Sequence, residues 1–159
     1  MTIDHSKHLY SVERTYPVLP ETLWQAWVDE AALETWYCPT ELAVVPGSVA
    51  NDVQVDGVWA VAVDVSKFGM PNAYFYGRYT EVLPLERMVH TLHYTTDADE
   101  AAKRDETTPH HMIVIEFEAR DGGAWCKFSQ YGELPEGEEK RAEAGMSSYL
   151  DNLGAYLAG

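Results

Sequence analysis

Basic residues are scarce in this chain. Its 159 residues include 11 lysines and arginines against 26 aspartates and glutamates, which gives a formal net charge of −15 at pH 7. Binding to a phosphate backbone or to an anionic membrane surface depends on clustered Lys and Arg. We therefore expect no nucleic-acid partner. The ordinary consequence of such a charge is solubility, rather than an acidic surface for docking a partner.

Cysteines and long apolar runs are also scarce. Cys38 and Cys126 form neither a CxxC pair nor a metal-type cluster, so two free thiols in a reducing cytosol are expected rather than a disulfide. No run of 18 apolar residues is present, so we expect no membrane insertion. The N-terminal segment lacks the apolar stretch of a secretion signal, and we therefore expect a cytoplasmic location.

The short motifs that identify common active sites are missing as well. The sequence has no GxSxG, no HExxH, no glycine-rich phosphate loop and no EF-hand spacing. His90 and His93 are three residues apart on an expected strand, so they face opposite sides and cannot share a metal. We expect neither a metal nor another cofactor. His90 is the one weak candidate for a general base, because a histidine at such a position is more often a core or ligand-contact residue.

The longest regular pattern lies at the C-terminal end of the chain. The segment 135–157 begins with a turn and two glutamates, which is typical of a helix start. Its apolar residues recur at helical spacing, namely at Ala142, Met146, Tyr149, Leu150, Leu153 and Leu157. A long amphipathic helix that follows a run of strands usually lies across the sheet they form.

Most of the remaining chain is predicted to be strands. A first strand over 8–16 is followed by two short helices, one with Pro20 near its first turn and one over 30–36. Later strands are expected at 42–45, 58–65, 73–82, 87–94, 111–119 and 124–131. The polar segment 97–109 is predicted to be an exposed excursion containing at most one helical turn. Short loops between neighbouring strands indicate an antiparallel meander.

These elements predict an α+β fold in which residues 1–159 form a single domain. A curved antiparallel sheet of six or seven strands wraps around the long C-terminal helix, and two short helices follow the first strand. A chain of this length buries about two-thirds of its unfolded surface. Because such a sheet encloses more volume than one helix fills, we expect a cavity between the sheet and the helix.

Several segments together resemble a known family. They are LPETLWQAW at Leu19–Trp27, Trp36, VDGVW at Val55–Trp59, GRYTEVLPLERMV at Gly77–Val89 and FSQYG at Phe128–Gly132. With the terminal helix, they resemble the heat-shock ATPase activator-like branch of the START-like (SRPBCC, Bet v-type) superfamily over nearly the whole chain. The resemblance implies a helix-grip fold with a hydrophobic cavity. Members bind lipids, sterols, polyketides or other small apolar molecules; some are enzymes such as cyclases, and some act with chaperones.

The terminal helix departs from this family's pattern at its start. Ala142 and Met146 flank Gly145 at positions where the family often carries histidine and tryptophan. A flexible thioether fills space less rigidly than an indole. Gly145 and Gly154 also interrupt the helix, and each costs about 1 kcal/mol relative to alanine. Such glycines indicate either close packing or room left for another molecule.

Strand alternation and helical spacing assign the residues around the expected cavity. The assigned set, with Trp36 placed near the mouth, is Trp36, Trp59, Val61, Phe75, Tyr79, His90, Leu92, Ile115, Phe117, Phe128, Gln130, Met146, Tyr149 and Leu150. Both faces of 73–82 are aromatic, so placing Phe75 and Tyr79 inward is a choice between two alternatives. The opposing interpretation is that the whole set forms a packed core without a ligand. Polar tips among these residues, such as those of His90 and Gln130, favour a small-molecule site.

Three functions remain open from the sequence. The first is binding of a small hydrophobic or amphipathic ligand in the cavity. The second is an enzyme, cyclase-like or hydrolase-like, that uses the same cavity with His90 or a tyrosine as acid or base. The third is a co-chaperone of a heat-shock ATPase, and this chaperone contact rests on the family resemblance alone. A monomer and a homodimer are both compatible with the sequence.

Overall fold

Within residues 3–159, which the computed structural model describes, eight strands form one antiparallel sheet. In chain order the strands are β1 (His8–Tyr16), β2 (Ala43–Val44), β3 (Ala50–Asn51), β4 (Val58–Asp64), β5 (Ala73–Leu83), β6 (Arg87–Thr95), β7 (His111–Arg120) and β8 (Gly123–Tyr131). The α-helices are α1 (Pro20–Val28), α2 (Glu30–Trp36), α3 (Ala98–Lys103) and α4 (Glu138–Leu157). Met1 and Thr2, which begin the segment considered for a secretion signal, lie outside the described residues.

The arrangement of these elements confirms the predicted helix-grip fold. The strand order is β1-β8-β7-β6-β5-β4-β2, and β3 pairs with β4 in addition. This curled path of seven strands encloses α4, and α1 and α2 follow the first strand as expected. Strands adjacent in sequence pair from β4 to β8, whereas β1 closes on β8 at the far end. The fold therefore brings the two ends of the chain to the same side of the sheet.

Two elements differ from the sequence prediction. The short β3 was not among the predicted strands. Asn51 pairs with Trp59, and its side-chain amide donates to the carbonyls of Trp27 (3.2 Å) and Val28 (2.9 Å). A two-residue strand has too few positions to show alternation. The polar excursion holds a six-residue helix, α3, whose N-cap Asp97 accepts from two backbone amides. Helix α3 packs outside β5 and β6.

Helices α1 and α2 fill one end of the sheet's inner face. Helix α1 packs on β7 and β8, while α2 contacts α4. The indole rings of Trp27 and Trp36 meet edge to face at 4.8 Å between ring centres. Hydrogen bonds tie α4 to this core; for example, the Tyr16 hydroxyl donates to the Leu150 carbonyl (2.7 Å), and the Asn152 amide donates to the Cys38 carbonyl (2.7 Å). Helix α4 approaches the sheet most closely at β1, which leaves space toward the strands on the other side.

Gly77 and Arg78 have no paired residue in β6, and the register of β5 on β6 shifts further along, between Tyr79 and Glu81. The backbone amide of Arg78 donates to the side-chain hydroxyl of Thr91 (3.0 Å) instead of to a backbone carbonyl. This brings the Thr91 backbone so close that a Cβ at position 77 would lie 1.9 Å from its carbonyl oxygen. Only glycine permits this approach without a shift of the backbone.

We expect the substitution Gly77→Ala to lower the free energy of unfolding by more than about 2 kcal/mol, because one of two paired strands must move. The measurement is urea unfolding followed by circular dichroism. The control is Gly145→Ala in α4, where an added Cβ meets nothing within 4 Å and helix propensity predicts a gain of about 0.5–1 kcal/mol. Equal stability of Gly77→Ala and the unchanged protein would contradict the close approach.

Candidate functional site

A cavity of about 280 Å³ lies between the inner face of the sheet and helix α4. This volume is close to the lower end of the range for small-molecule sites, about 300–1,000 Å³. Six of its twelve lining residues are aromatic. The lining consists of Tyr10, Tyr37, Pro39, Trp59, Phe75, Leu92, Phe128, Gln130, Ala142, Gly145, Met146 and Tyr149. The walls come from strands on both sides of the sheet, from the turn after α2 and from the first half of α4.

The structure brings seven of the fourteen predicted residues to this cavity. They are Trp59, Phe75, Leu92, Phe128, Gln130, Met146 and Tyr149. The other seven are not part of its lining: Trp36, Val61, Tyr79, His90, Ile115, Phe117 and Leu150. Part of the inner face lies under α1, as at Phe117, and another part faces the cavity.

Trp36 illustrates the residues that belong to the core instead. It was expected near the mouth of the cavity, but it is fully buried, and its indole N–H donates to the Ala26 carbonyl (2.9 Å). Phe117 packs edge to face on Trp24 at 5.0 Å, beside α1. Ile115 and Leu150 are buried in the same core. Alternation along a strand separates inner from outer residues, but it does not tell which inner residues a helix will cover.

Five lining residues were missed by the sequence assignment, and only some of them left a signal. Tyr10 lies two residues before Val12 on the inner face of β1, so alternation could have found it. Ala142 and Gly145 precede Met146 and Tyr149 on the apolar side of α4 and continue the same stripe. The remaining two, Tyr37 and Pro39, follow α2 in a turn that has no periodicity.

The two glycines of α4 have different structural reasons. A Cβ on Gly145 would meet nothing within 4 Å, and this residue borders the cavity. A Cβ on Gly154 would lie 3.3 Å from the Tyr16 ring, which is tight packing. The sequence left two explanations open for these glycines. Unfilled space is found at Gly145, and close packing is found at Gly154.

The polar groups of the cavity are phenols and one amide. The Tyr10 hydroxyl donates to Oε1 of Gln130 (2.6 Å), and Nε2 of Gln130 contacts Nδ1 of His111 (2.7 Å). The rings of Tyr37 and Tyr149 meet edge to face at 5.0 Å. Both residues line the cavity, so their hydroxyls are placed to bond to a bound molecule.

The lining carries no ionisable side chain other than phenols, among the residues that the structure describes. Burial raises the pKa of the Tyr10 and Tyr149 phenols, and burial together with the neighbouring Tyr149 raises the pKa of Tyr37 well above its ordinary value. All three phenols therefore stay protonated and neutral near pH 7. An uncharged, largely aromatic space with a few hydrogen-bonding groups suits a neutral ligand.

His90 lies in the core behind one wall of the cavity. Its ring stacks on Trp59 at 4.4 Å between ring centres and meets Tyr79 edge to face at 5.6 Å. Nδ1 bonds to the carbonyl of Thr91 (2.8 Å), whereas Nε2 is buried and has no partner among the described residues. A general base must reach the proton that it removes. In this arrangement the imidazole does not contact the cavity.

Other features add no second site of this kind. A shallower depression of about 420 Å³ lies on the outer face of β4 and β5, beside α3, and is lined mainly by small residues and tyrosines. Within residues 3–159 no group of three or more His, Cys, Asp or Glu side chains is placed to hold a metal ion. Cys38 and Cys126 are both buried and free. No helix in the described range is long and apolar enough to cross a membrane.

A curled antiparallel sheet closed by a long C-terminal helix around an apolar cavity defines the START-like (SRPBCC) class of proteins. The model of one family in this class, described as activator of Hsp90 ATPase homolog 1-like protein, matches residues 17–158, and the chain belongs to that family. The match covers every element from α1 to α4. A search of curated proteins finds no match for this chain.

Solved structures share the fold. A crystal structure of the AHSA1 protein from Silicibacter pomeroyi is 26% identical, covers 94% of this chain and 96% of its own, and has a TM-score of 0.77. A protein from Chromobacterium violaceum is 21% identical, covers 97% and 99%, and has a TM-score of 0.78. A protein from Nitrosomonas europaea is 17% identical, covers 98% and 97%, and has a TM-score of 0.75. At 21% and 17% identity, the similarity shows the fold alone.

The burial of His90 predicts a pH-dependent stability. Burial lowers the pKa of His90 from 6.5 to about 4, so the unfolded chain binds a proton that the folded chain excludes between these values. The free energy of unfolding should therefore fall as the pH drops from about 6.5 to about 4, by up to about 3 kcal/mol, and this contribution should change no further below that range. The measurement is urea unfolding at a series of pH values.

The controls separate His90 from other groups. His90→Leu should remove this part of the pH dependence, because leucine is neutral at every pH. His93→Leu is the matched variant, because burial also lowers the pKa of His93. The His93 side chain lies on the opposite face of β6 from His90. If His90→Leu keeps the whole pH slope of the unchanged protein, the neutral buried imidazole is the wrong explanation.

Proposed function

We propose that this protein binds a small, uncharged, largely apolar molecule in the cavity between the sheet and α4. The observation that carries the proposal is the lining itself, with six aromatic rings, three aliphatic side chains and hydrogen-bonding groups that are all neutral. The family supports a fold in which such a cavity is expected. The chain's net charge of −15 adds a general repulsion of anionic molecules.

The volume and the aromatic walls restrict the kind of molecule. A space of about 280 Å³ corresponds to roughly nine waters of liquid, at about 30 Å³ each. A fused two-ring compound or a branched molecule of similar size suits this space better than a long lipid chain. Aromatic walls favour a ligand with its own ring, because stacked and edge-to-face contacts add to the gain from burial. The hydroxyls of Tyr37 and Tyr149 supply polar anchors.

Binding is better supported than catalysis. General acid–base catalysis works best with a group whose pKa lies near the operating pH. Burial moves the pKa of the cavity's phenols away from that range, and His90 does not reach the cavity. An enzyme that uses this cavity remains the alternative. A co-chaperone role is a further alternative, and it rests on the family's description rather than on a contact surface. A cytoplasmic location and the oligomeric state are expectations from the sequence.

The proposal can be tested with neutral bicyclic compounds, of which 2-naphthol is the first probe. Isothermal titration calorimetry should show saturable one-to-one binding to the unchanged protein. Gly145→Phe should weaken binding at least tenfold, because a phenyl ring at this lining position would occupy space that the ligand needs. Mass spectrometry of the native protein is a second readout, since it would detect an apolar molecule retained through purification.

Ala144→Phe is the matched control for this experiment. It adds the same ring one residue earlier in α4, at an exposed position that is not part of the lining. This variant should bind 2-naphthol as the unchanged protein does. Equal affinity in the Gly145→Phe variant would place any binding outside the cavity. Failure of 2-naphthol and of related neutral compounds to bind at all would refute the proposed function.

A further inference from the structure

A chain of hydrogen bonds connects the cavity to the protein surface. Inside, the Tyr10 hydroxyl donates to Oε1 of Gln130 (2.6 Å), and both residues line the cavity. Next, Nε2 of Gln130 contacts Nδ1 of His111 (2.7 Å). At the outer end, Nε2 of His111 contacts the carbonyl oxygen of Glu133 (3.1 Å). Tyr10 is buried and His111 is half-buried, so this series of hydrogen bonds runs from the interior of the protein to its surface.

The Glu133 end determines which atoms donate and which accept in this series of hydrogen bonds. A carbonyl oxygen can only accept, so Nε2 of His111 must carry the proton that it donates to Glu133. In a neutral imidazole, Nδ1 then has a lone pair and can only accept. The amide of Gln130 must offer its NH₂ group to His111, which turns Oε1 toward Tyr10. The Tyr10 proton is therefore engaged, and the remaining lone pairs of this oxygen are left for the cavity.

We propose that His111 is a specificity-determining residue, which through Gln130 makes Tyr10 a hydrogen-bond acceptor and so selects ligands that carry a hydroxyl group. This inference rests on the proposed binding function, because it concerns the same cavity. His111 does not line the cavity and acts through Gln130 as a positioning residue. A hydroxyl at the right place on the ligand donates to the Tyr10 oxygen, whereas an ether oxygen at the same place finds no donor there.

The imidazole is held in place by a close glycine contact. Gly132 has φ +154, and a Cβ there would lie 2.4 Å from Cδ2 of His111. Any other residue at this position would push the ring away from Gln130. The Gly132 backbone amide also donates to the carbonyl of Lys7 (2.9 Å), which fixes the strand end. The position of the ring is therefore a packed feature of the fold rather than one rotamer among several.

Other titratable groups face His111 from the elements around it. Lys7 pairs with the carboxylate of Glu133 (3.0 Å) at the same surface. The neighbouring His110 and the carboxylate of Glu106 border the same depression. Across the β6–β7 pairing the facing residue is Leu92, which carries no charge. Charged groups of both signs therefore lie near the imidazole.

A side chain at position 111 that can only donate would reverse this series of hydrogen bonds. Such a side chain, lysine for example, cannot accept from the Gln130 amide. The amide would then turn its Oε1 toward position 111 and its NH₂ toward Tyr10. The Tyr10 oxygen would accept from Gln130, and its own proton would be free to donate into the cavity. The preferred ligand would change from one that donates to one that accepts.

The experiment compares 2-naphthol, which carries a hydroxyl group, with 2-methoxynaphthalene, which can only accept. Both affinities are measured by titration calorimetry at about pH 8. In the unchanged protein we expect 2-naphthol to bind about tenfold more tightly than the ether. A hydrogen bond between neutral groups is worth roughly this factor.

Two variants test whether residue 111 controls which atoms of Gln130 and Tyr10 donate. His111→Lys presents only donors and should lose or invert this ratio. His111→Glu presents only acceptors when ionised and should keep the preference for 2-naphthol. A merely structural role of His111 would change both affinities together and would leave their ratio unaltered. An unchanged ratio in both variants, with both probes still bound, would overturn the inference and leave the proposed function intact.

A third measurement does not depend on the variants folding. Nitrogen-15 chemical shifts of the His111 ring in the unchanged protein distinguish the two neutral tautomers. We expect the tautomer with the proton on Nε2 at about pH 8. The opposite tautomer would overturn the inference by itself. If neither probe binds any form of the protein, the proposed function has failed rather than the tautomer assignment.

Discussion

Incomplete coverage of the sheet's inner face is the constraint on which the rest of this structure depends. A curled sheet must bury that face, and three helices share the task. At one end α1 and α2 cover it, with Trp27 and Trp36 packed against each other. Helix α4 covers the β1 side, where Tyr16 bonds to the Leu150 carbonyl. Toward the opposite strands the helix stands away from the sheet, and the uncovered aromatic surface becomes the cavity wall. The cavity is therefore a consequence of how the helices are placed and not of an unusual strand.

The same constraint determines the chemistry of the cavity. Groups buried in an apolar space must be neutral or paired. The phenols meet this condition because burial raises their pKa, and the Gln130 amide meets it by bonding to Tyr10 on one side and to His111 on the other. A hydrogen-bonding group in such a space also needs a defined direction. Gln130 has no preferred direction of its own, because its two ends are almost the same shape. Its direction must come from the imidazole outside the cavity, which links the ligand site to a half-exposed residue.

Much of the fold could be predicted from the sequence, but only part of the site. Strand alternation and the stripe of α4 gave bounds that agree with the structure to within a few residues, because each depends on a local period. The cavity lining depends on which part of the inner face the helices cover, and no local period encodes that. Trp59 and Trp36 are both inner aromatic residues, yet one lines the cavity and the other lies in the core. Tyr37 lies in a turn without a period, and the partners of Gln130 become visible only when β1, β7 and β8 are placed side by side.

Gly145 leaves the cavity wall without a side chain and makes α4 less stable than alanine would. Its neighbourhood has room for a methyl group, and alanine would favour the helix by about 1 kcal/mol. Gly154 in the same helix has no such freedom, because the Tyr16 ring stands 3.3 Å from the position of a Cβ. Packing therefore explains one glycine and leaves the other without a structural cause. Proteins commonly accept a lower stability where function requires space or strain. A glycine that borders the cavity, next to a flexible methionine, leaves the wall of α4 both open and adaptable. These are the properties that a wall needs if a molecule has to enter and be held there.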